Sequence, residues 1–531
     1  MRNGGTTRHA VTAGLVAAGV LLTILCAHAA EPGAVSPFES AAAGPSADPI
    51  DVLVAAKLSE KGLAPANPCS DAVFVRRVFL DVIGTLPEPQ EVRGFLEDPL
   101  PDKRAALIDD LLLRDEFADY WAMKWCDLLR VKSEFPINLW PNAVQAYHHW
   151  IRESIRQNKP YDQFVRELLT SSGSNFRVAP VNFYRAIQGR QPSAIAEAVA
   201  LTLMGTRLAS WPEAQRANLA VFFSRIAFKG TAEWKEEIVC VNPAPAEALD
   251  AVLPDGAAVH IGAEEDPRVK FADWLITPEN PWFARNAANR VWSWLMGRGI
   301  IHEPDDIRPD NPPANPELLA HLEKELAASR YDLRHLYRVI LNSRTYQQSS
   351  IARSSGEDAE RLFAHYLVRR LDAEVLIDAF DWLSGTRESY SSLIPEPFTF
   401  IPEQQRTIAL ADGSISSAFL EMFGRPARDT GLESERNNQP TDAQRLHLLN
   451  SSQVQRKIEA GGRLAALAKN AKADPPAAVR ALYLNVLSRY PTEPEVAAAL
   501  QYAQSGSVTP GEAVCDVAWA LINSKEFLYR H

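Results

Sequence analysis

Acidic, arginine and asparagine side chains concentrate in the stretch from Pro281 to Leu319. Carboxylates beside arginines are able to act as acids and bases, to bind a substrate, or simply to pair with each other. Spacing along the chain does not by itself pair them as acid and base, so catalytic residues stay unassigned. The candidate polar site comprises residues of this stretch and of two later charged segments: Asn286, Asn289, Arg290, Asp305, Asp306, Asn311, Arg369, Asp372, Glu435 and Arg436.

Asn286, Asn289 and Arg290 share one face of a predicted helix. A polar face of this kind usually contacts solvent. Asparagine, however, is a poor helix former and gains nothing from exposure. We therefore hypothesise that this face is buried against the loop from Glu303 to Asn311, where it would satisfy loop carbonyls and carboxylates.

The same loop is the weak candidate for a metal site. Asp305, Asp306 and Asp310 offer the oxygen ligands that calcium prefers. Their spacing does not match the calcium-binding loop of an EF-hand. Pairing with Arg308 and helix capping are the favoured interpretation, and whether the loop binds a cation stays open.

Established catalytic motifs are missing from the sequence. It contains no Gly-x-Ser-x-Gly, no His-Glu-x-x-His and no phosphate-binding loop. His148 and His149 are adjacent on a predicted helix, so they point about 100° apart and cannot chelate one metal alone. We expect both to be exposed or hydrogen-bonded. Whether the chain is an enzyme is left open.

The elements that must position these residues are mostly helices. Asn315 and Asp332 are predicted N-caps, and Gly297 is the predicted end of the helix that carries Asn286. Apolar periodicity predicts a helix over 362–383, and residues 385–412 read as a long ordered loop. The predicted fold is mostly α, with two helical domains built of helical hairpins. A small β-hairpin connector is expected near 236–262, from strands at 239–241 and 257–261.

Five segments follow along the chain. They are a signal peptide at 1–29, a flexible lead-in at 30–48, an N-terminal helical domain at 49–235, a connector at 236–265, and a C-terminal helical domain at 266–531. The signal peptide is inferred from Arg2 and Arg8, the apolar run Ala13–Leu25 and the small-x-small end Ala27–Ala29. We predict an exported protein, periplasmic or extracellular, without a membrane span after signal cleavage.

Composition limits the classes of partner and cofactor. The net charge is −11 and no basic run appears, so nucleic acid is not expected as a partner. The cysteines after the signal region, Cys69, Cys126, Cys240 and Cys515, are far apart and form no Cys-x-x-Cys. No cofactor is predicted, and covalently attached haem is not expected.

Several motifs resemble a known two-domain family. They are "YDQFVREL", "NPWFARNAANRVWSWLMGRGI", "DDIRPDNPPANPELL", "NSRTYQQSS", "RRLDAE" and "INSKEFLYRH". The family comprises exported proteins of planctomycete and verrucomicrobial type that have no established reaction and are often associated with a cytochrome c-like domain. Similar proteins carry a Cys-x-x-Cys-His after a buried helix, but here the stretch from Leu208 to Ala217 contains neither Cys nor His. A redox or metal role that the resemblance would imply is thus in doubt for this chain.

Three functional interpretations follow. The leading one is an exported helical envelope protein that acts as a binding or scaffold component of a surface or periplasmic assembly. Its partners would be envelope or exported proteins, cytochrome-like ones included. The alternative is an enzyme acting on an extracellular polymer, with acids and arginines near 286–311. Electron transfer is a weaker alternative, since the haem-type motif is absent.

Overall fold

A computed structural model describes residues 36–531 except 43, 243, 245, 246 and 461. The predicted signal peptide therefore lies outside the described residues. Helix accounts for 52% and strand for 6%, which confirms the mostly-α class. Among the residues described, no helix is both long and apolar enough to cross a membrane.

The first half consists of helices followed by short strands. Its elements are α1 Pro49–Glu60, α2 Asp71–Val82, α3 Pro89–Glu97, α4 Lys103–Leu113, α5 Asp115–Leu128, α6 Pro141–Arg156, α7 Tyr161–Thr170, β1 Gly173–Ser174, α8 Asn182–Arg185, α9 Pro192–Val199, α10 Glu213–Val221, β2 Ile226–Gly230, β3 Glu237–Val241, β4 Leu249–Val252 and β5 Ala258–Ile261. Helix α9 continues into a π-helical turn, Ala200–Met204.

The second half is again helical. Its elements are α11 Pro267–Leu275, α12 Phe283–Met296, α13 Pro316–Ala328, α14 Leu333–Asn342, α15 Glu357–Arg361, β6 Arg369–Arg370, α16 Ala373–Ser384, α17 Ala418–Met422, α18 Asp442–Asn450, α19 Ser452–Ala460, α20 Gly462–Asn470, α21 Pro475–Leu487, α22 Glu493–Ala503, α23 Pro510–Ile522, α24 Lys525–Leu528 and β7 Tyr529–Arg530.

The predicted helix ends near the candidate site are confirmed. Asn315 accepts a hydrogen bond from the backbone N–H of Leu318, and Asp332 accepts one from that of His335. Each bond satisfies one of the backbone donors that a helix start leaves free. Helix α12 ends at Gly297 in the left-handed conformation, with φ 82°, which glycine adopts without strain.

The predicted connector hairpin is wrong in its pairing. Strands β3 and β5 do not pair with each other; β3 pairs with β2, and β5 pairs with β4. Strand β1 extends the first of these hairpins to three strands. Each predicted strand takes the partner that is nearest in sequence, because a short loop closes at little entropic cost. The connector thus contains two hairpins, and the first begins before residue 236.

The predicted helix over 362–383 is also wrong in its first half. Helix α16 begins only at Ala373, because Arg369 and Arg370 form β6, which pairs antiparallel with β7. Strand β7 lies about 160 residues away in sequence. Its hydrogen bonds to β6 use backbone N–H and C=O groups that would otherwise form the bonds of a helix. The loop prediction agrees better, since residues 385–412 contain only the 3₁₀ turn Thr407–Ala409.

Helices of the two predicted domains pack on one another. Helix α11 packs on α7, α13 on α1 and α14 on α4. The main cluster of buried apolar side chains accordingly runs from Ile50 to Phe527. The predicted domain boundaries stay predictions, but the polar groups described below lie where these two halves meet.

Candidate functional site

The polar face of α12 is buried, as hypothesised, but its two asparagines bond residues outside the loop from Glu303 to Asn311. Arg290 contacts that loop, at Asp305. Asn286 is 1% exposed and Asn289 is 0% exposed. Asn289 both donates to the carbonyl of Ile301, at 2.9 Å, and accepts from its N–H, at 2.8 Å. Asn286 donates to the carbonyl of Thr202 in the π-helical turn, at 3.1 Å. These asparagines therefore satisfy buried backbone groups.

Close approach at the same point requires a glycine. A Cβ on Gly205 would lie 2.5 Å from Oδ1 of Asn286 and 3.0 Å from the carbonyl of Pro304. Gly205 also has φ 63°, so only glycine combines this conformation with this space. The π-helical turn can therefore end directly against α12.

Arg290 and Asp305 form an ion pair inside the protein. The guanidinium lies 2.9 Å from Oδ1 of Asp305, and both side chains are 1% exposed. Oδ2 of Asp305 accepts a hydrogen bond from the backbone N–H of Glu433, at 2.6 Å. This carboxylate is thus occupied by protein donors and is shielded from substrate and cations alike.

The other two candidate metal ligands pair with arginine. Arg308 lies 3.1 Å from a carboxylate oxygen of Asp306 and 3.1 Å from one of Asp310. Asn311 donates to the carbonyl of Asp306, at 2.9 Å, and so closes the loop. Within the described ranges, no group of three or more His, Cys, Asp or Glu side chains is arranged to hold a metal. The pairing through Arg308 that the sequence favoured is confirmed.

Asp372 is the centre of a second buried group, at the N-terminus of α16. Its Oδ1 accepts hydrogen bonds from Lys124, at 2.9 Å, and from Asn438, at 2.8 Å. Its Oδ2 accepts from the Tyr120 hydroxyl, at 2.9 Å, and from Arg530, at 3.0 Å. Burial alone would raise the pKa of Asp372, but the surrounding cations hold it well below its ordinary value.

Arg436 extends this group to two further carboxylates. Its guanidinium lies 2.7 Å from Glu374 and 2.7 Å from Asp127. Asp127 also pairs with the buried Arg428, at 2.9 Å. Burial opposes ionisation of Glu374, yet Arg436 and the nearby Arg425 lower its pKa to about 2. All of these carboxylates have arginine partners, which is the condition for burying them without a large penalty.

Arg369 belongs to a neighbouring group around Asp81. Asp81 Oδ1 lies 2.9 Å from Arg369 and 3.1 Å from Arg530, and its Oδ2 accepts from the hydroxyls of Tyr346 and Tyr366. Arg530 therefore connects the Asp81 group to Asp372. We call the set formed by Asp81, Lys124, Asp127, Asp372, Glu374, Arg369, Arg428, Arg436 and Arg530 the ion-pair core.

Glu435, the remaining candidate, lies apart from the ion-pair core. Its carboxylate accepts hydrogen bonds from the backbone N–H groups of Asp429 and Thr430, at 2.9 and 3.1 Å. It stabilises a loop and is only partly buried. The structure thus brings Asp372 and Arg436 together, places Arg290 with Asp305, and leaves Glu435 separate.

An open pocket of about 440 Å³ lies between α5, α6 and the long loop. Sequence reasoning missed it because its two walls are more than 240 residues apart. We call it the His148 pocket. Its polar lining residues are Asp119, Gln145, His148, Arg152 and Gln405.

His148 is the unusual residue of this pocket. It is 8% exposed, and its Nε2 has no hydrogen-bond partner among the described residues. The expectation that it would be exposed or hydrogen-bonded is wrong, although His149 beside it is exposed. Burial, together with Arg428, Arg152 and His149, lowers the pKa of His148 to about 3, so the imidazole is neutral at physiological pH.

Three aromatic side chains from distant segments meet at the surface. The Trp140 ring centroid lies 6.4 Å from that of Trp234 and 5.4 Å from that of Phe398. Trp234 is 65% exposed and Phe398 is 44% exposed. The Lys235 ammonium lies 5.3 and 5.4 Å from the two indole rings, within cation–π range. We call these four residues the aromatic surface.

Comparison with known proteins gives two matches within the chain. Residues 49–209 match PSCyt2, described as a protein of unknown function (DUF1549). Residues 267–503 match PSD1, described as a protein of unknown function (DUF1553). No curated protein and no solved structure matches the chain. With one domain of each kind, in this order, the chain matches a two-domain family of unknown function.

Proposed function

We propose that the protein is a non-catalytic binding component of an exported assembly, and that the aromatic surface is where it contacts a partner protein. The observation that carries the proposal is the convergence of Trp140, Trp234 and Phe398 at the surface. Large aromatic side chains are enriched at the centres of protein interfaces, where they contribute most of the binding free energy.

The charge of the surface defines the partner further. Lys235 is exposed, and its ammonium already lies over both indole rings. A partner that packs an apolar side chain against the exposed rings and places a carboxylate beside Lys235 would match both features. We therefore propose an exported protein with an acidic and apolar contact segment.

The buried ion pairs support a binding role over catalysis at the candidate polar site. Arg290 and Asp305 are 1% and 0% exposed, so a polymer cannot reach them in this conformation. An enzyme acting near 286–311 would need these groups to open to solvent. Electron transfer has less support, because the sequence lacks the haem-type motif.

A pull-down from the native envelope, followed by reconstitution with the purified partner, tests the proposal. The Trp234→Ala/Phe398→Ala double variant should weaken the affinity for that partner at least about tenfold, as expected for an interface aromatic pair. Tyr490→Ala is the matched control, because Tyr490 is an exposed aromatic residue outside the aromatic surface.

Two results would overturn the proposal. One is that the wild-type chain retains no partner that rebinds with a defined stoichiometry after purification. The other is that the double variant binds the purified partner as tightly as the wild type and the Tyr490 control do.

A further inference from the structure

A second pocket, of about 140 Å³, lies among the last helices of the chain, between α21, α22 and α23. The side chains of its wall are apolar except for that of the exposed Gln504. The wall includes Ala478, Ala499, Ala513 and Val514. A water molecule in such a space needs two to four polar partners, so this wall suits an apolar occupant.

The helices around this pocket repeat an arrangement found near the N-terminus. The sequence "FLDVIGTLPEPQEV" at 79–92 resembles "YLNVLSRYPTEPEV" at 483–496. Each motif covers the end of one helix, a proline-containing turn and the start of a second helix. We call residues 70–117 the first repeat and residues 474–527 the second repeat.

The turn has the same geometry in both repeats. Close to the end of the first helix the backbone φ is positive, 60° at Gly84 and 57° at Ser488. The second helix then begins with a glutamate that accepts a hydrogen bond from the N-cap backbone N–H, Glu91 at 2.8 Å and Glu495 at 2.7 Å. Matching residues thus adopt matching conformations.

The third helix of each repeat matches as well. A Glu-Phe pair follows α4 and α23, ending at Phe117 and Phe527. With these phenylalanines aligned, buried residues match buried residues: Ile108 with Ala518, Leu111 with Leu521 and Leu112 with Ile522. In both repeats the first helix packs on the second and on the third. A residue of one repeat can therefore be compared with its counterpart in the other.

Aromatic rings fill the matching space in the first repeat. Phe74 and Phe95 stack there, with ring centroids 5.9 Å apart and an interplanar angle of 26°. Their counterparts in the second repeat are Ala478 and Ala499, which are both buried and both part of the pocket wall. The pocket therefore lies where two methyl groups take the place of two side-chain rings.

Neutral residues also stand where the first repeat carries cations. The Arg104 guanidinium and the Lys103 ammonium lie 4.6 and 5.0 Å from the two ring centroids of the first repeat. Their counterparts in the pocket wall are Val514 and Ala513. A charged group inside this wall would lose its hydration without gaining a partner, so the occupant is uncharged.

The volume of the pocket fits one ring. An apolar cavity of roughly 150 Å³ in an engineered protein binds benzene. A flat ring in the pocket would give the wall the dispersion contacts that Phe74 and Phe95 give in the first repeat. We infer that the pocket binds a small uncharged molecule built on a single aromatic ring. This inference does not rest on the proposed protein contact, because the pocket wall and the aromatic surface share no residue.

Titration calorimetry of the full chain with toluene tests the inference. Toluene should bind at one site per chain with a dissociation constant below about 1 mM, which a ligand of this size can reach. Benzoate should bind at least about tenfold more weakly, because its charge would be buried without a partner. Methylcyclohexane should also bind more weakly, since its puckered ring is thicker than a phenyl ring. No toluene binding, or equal binding of either comparison ligand, would overturn the inference.

The same probe locates the site in the wild-type chain. An aromatic ring shifts the methyl NMR signals of the groups that it packs against, so toluene should shift those of Leu482, Val514 and Val517 in the pocket wall. The methyl signals of Leu111 in the first repeat should stay unchanged. Shifts confined to residues outside the pocket would overturn the inference, and this measurement needs no variant.

Two substitutions restore the rings of the first repeat. Ala478→Phe and Ala499→Phe should each weaken toluene binding at least about tenfold, because the added ring occupies the space in a close-packed interior. Ala497→Phe is the matched control, since Ala497 is exposed on the same helix as Ala499 and lies outside the pocket wall. Wild-type affinity in both filled variants, or an equal loss in the Ala497 variant, would overturn the inference.

Discussion

The ion-pair core and the His148 pocket are both built on α5, yet the residue at the centre of each differs in its hydrogen bonds. In the ion-pair core, Asp372 accepts hydrogen bonds from four side chains, and all its partners are protein groups. In the pocket, His148 is also buried, at 8% exposure, but its Nε2 has no hydrogen-bond partner among the described residues. The first arrangement joins the halves of the protein, and the second leaves a neutral ring nitrogen without a hydrogen bond to the described residues.

This contrast shows that a high density of charged and polar residues in a stretch of sequence does not identify a functional site. Buried charged residues must pair with residues of opposite charge, since an unpaired charge in the interior strongly reduces the stability of the fold. A single neutral side chain can remain unsatisfied at a smaller cost. The following predictions test whether the two regions differ as described.

The largest effect is expected at the centre of the ion-pair core. Asp372→Ala leaves Lys124 and Arg530 buried without their shared carboxylate, so the free energy of unfolding should fall by about 3–5 kcal/mol. Urea denaturation measures the change. Asp442→Ala is the control, because Asp442 pairs with Arg445 at the surface with its side chain 90% exposed. Equal losses in the two variants would contradict the distinction between buried and exposed pairs.

A smaller loss is expected for Asn289→Ala on α12. The change removes both hydrogen bonds to the backbone of Ile301 and leaves those groups buried, at a cost of about 2–3 kcal/mol. The partly buried Asn218 makes a solvent-exposed hydrogen bond within its own helix, so Asn218→Ala should cost well under 1 kcal/mol. Thermal and urea unfolding measure both losses. If the two variants lose similar free energies of unfolding, the hydrogen bonds to Ile301 do not stabilise the packing of this helix face.

Lowering the pH should reduce the stability of the protein through His148 of the pocket. Its folded pKa is about 3, below the ordinary 6.5, so between these values the unfolded chain binds a proton that the folded chain does not. Stability therefore falls as the pH drops from about 6.5 toward about 3, by at most about 1.4 kcal/mol per pH unit from this group.

His148→Gln should remove that part of the slope, measured as the difference in unfolding free energy from the wild type at several pH values. His149→Gln should retain the slope. A wild-type slope in the His148 variant would mean that this imidazole is protonated in the folded state.

The smallest effect is expected in the acid loop. Arg308 is partly exposed where it pairs with Asp306 and Asp310, so Arg308→Ala should change stability by less than about 1 kcal/mol. Calcium chloride should not stabilise the wild type in the same unfolding experiment. Calcium-dependent stabilisation that Asp306→Asn removes would show that the loop is a cation site after all.

The sequence could predict those structural features that depend on residues close together in the chain. Helix starts such as Asn315 and ends such as Gly297 follow from residues within one turn, and both were predicted correctly. The burial of Asn286 and Asn289 could also be hypothesised, because asparagine is a poor helix former and gains nothing from exposure.

Partners from distant segments could not be predicted. No residue near Asp372 in the sequence indicates that Tyr120, Lys124 and Arg530 donate hydrogen bonds to it. The same lack of local signal led to the helix predicted across Arg369 and Arg370 and to the wrong expectation for His148. For Asp372, Arg369 and Arg370, a segment far along the chain provides the deciding contact.

Long-range contacts of α2 have a consequence for how the protein folds. Arg77 donates to the carbonyl of His531, 454 residues away, and Arg530 reaches the carbonyl of Leu80. The N-terminal helices cannot complete their polar contacts until residues near 530 have been synthesised. Contacts of such high sequence separation slow folding, because loop closure costs entropy before any contact forms. We therefore expect the chain to acquire its native state late and slowly, with α2 exposed to chaperones during synthesis.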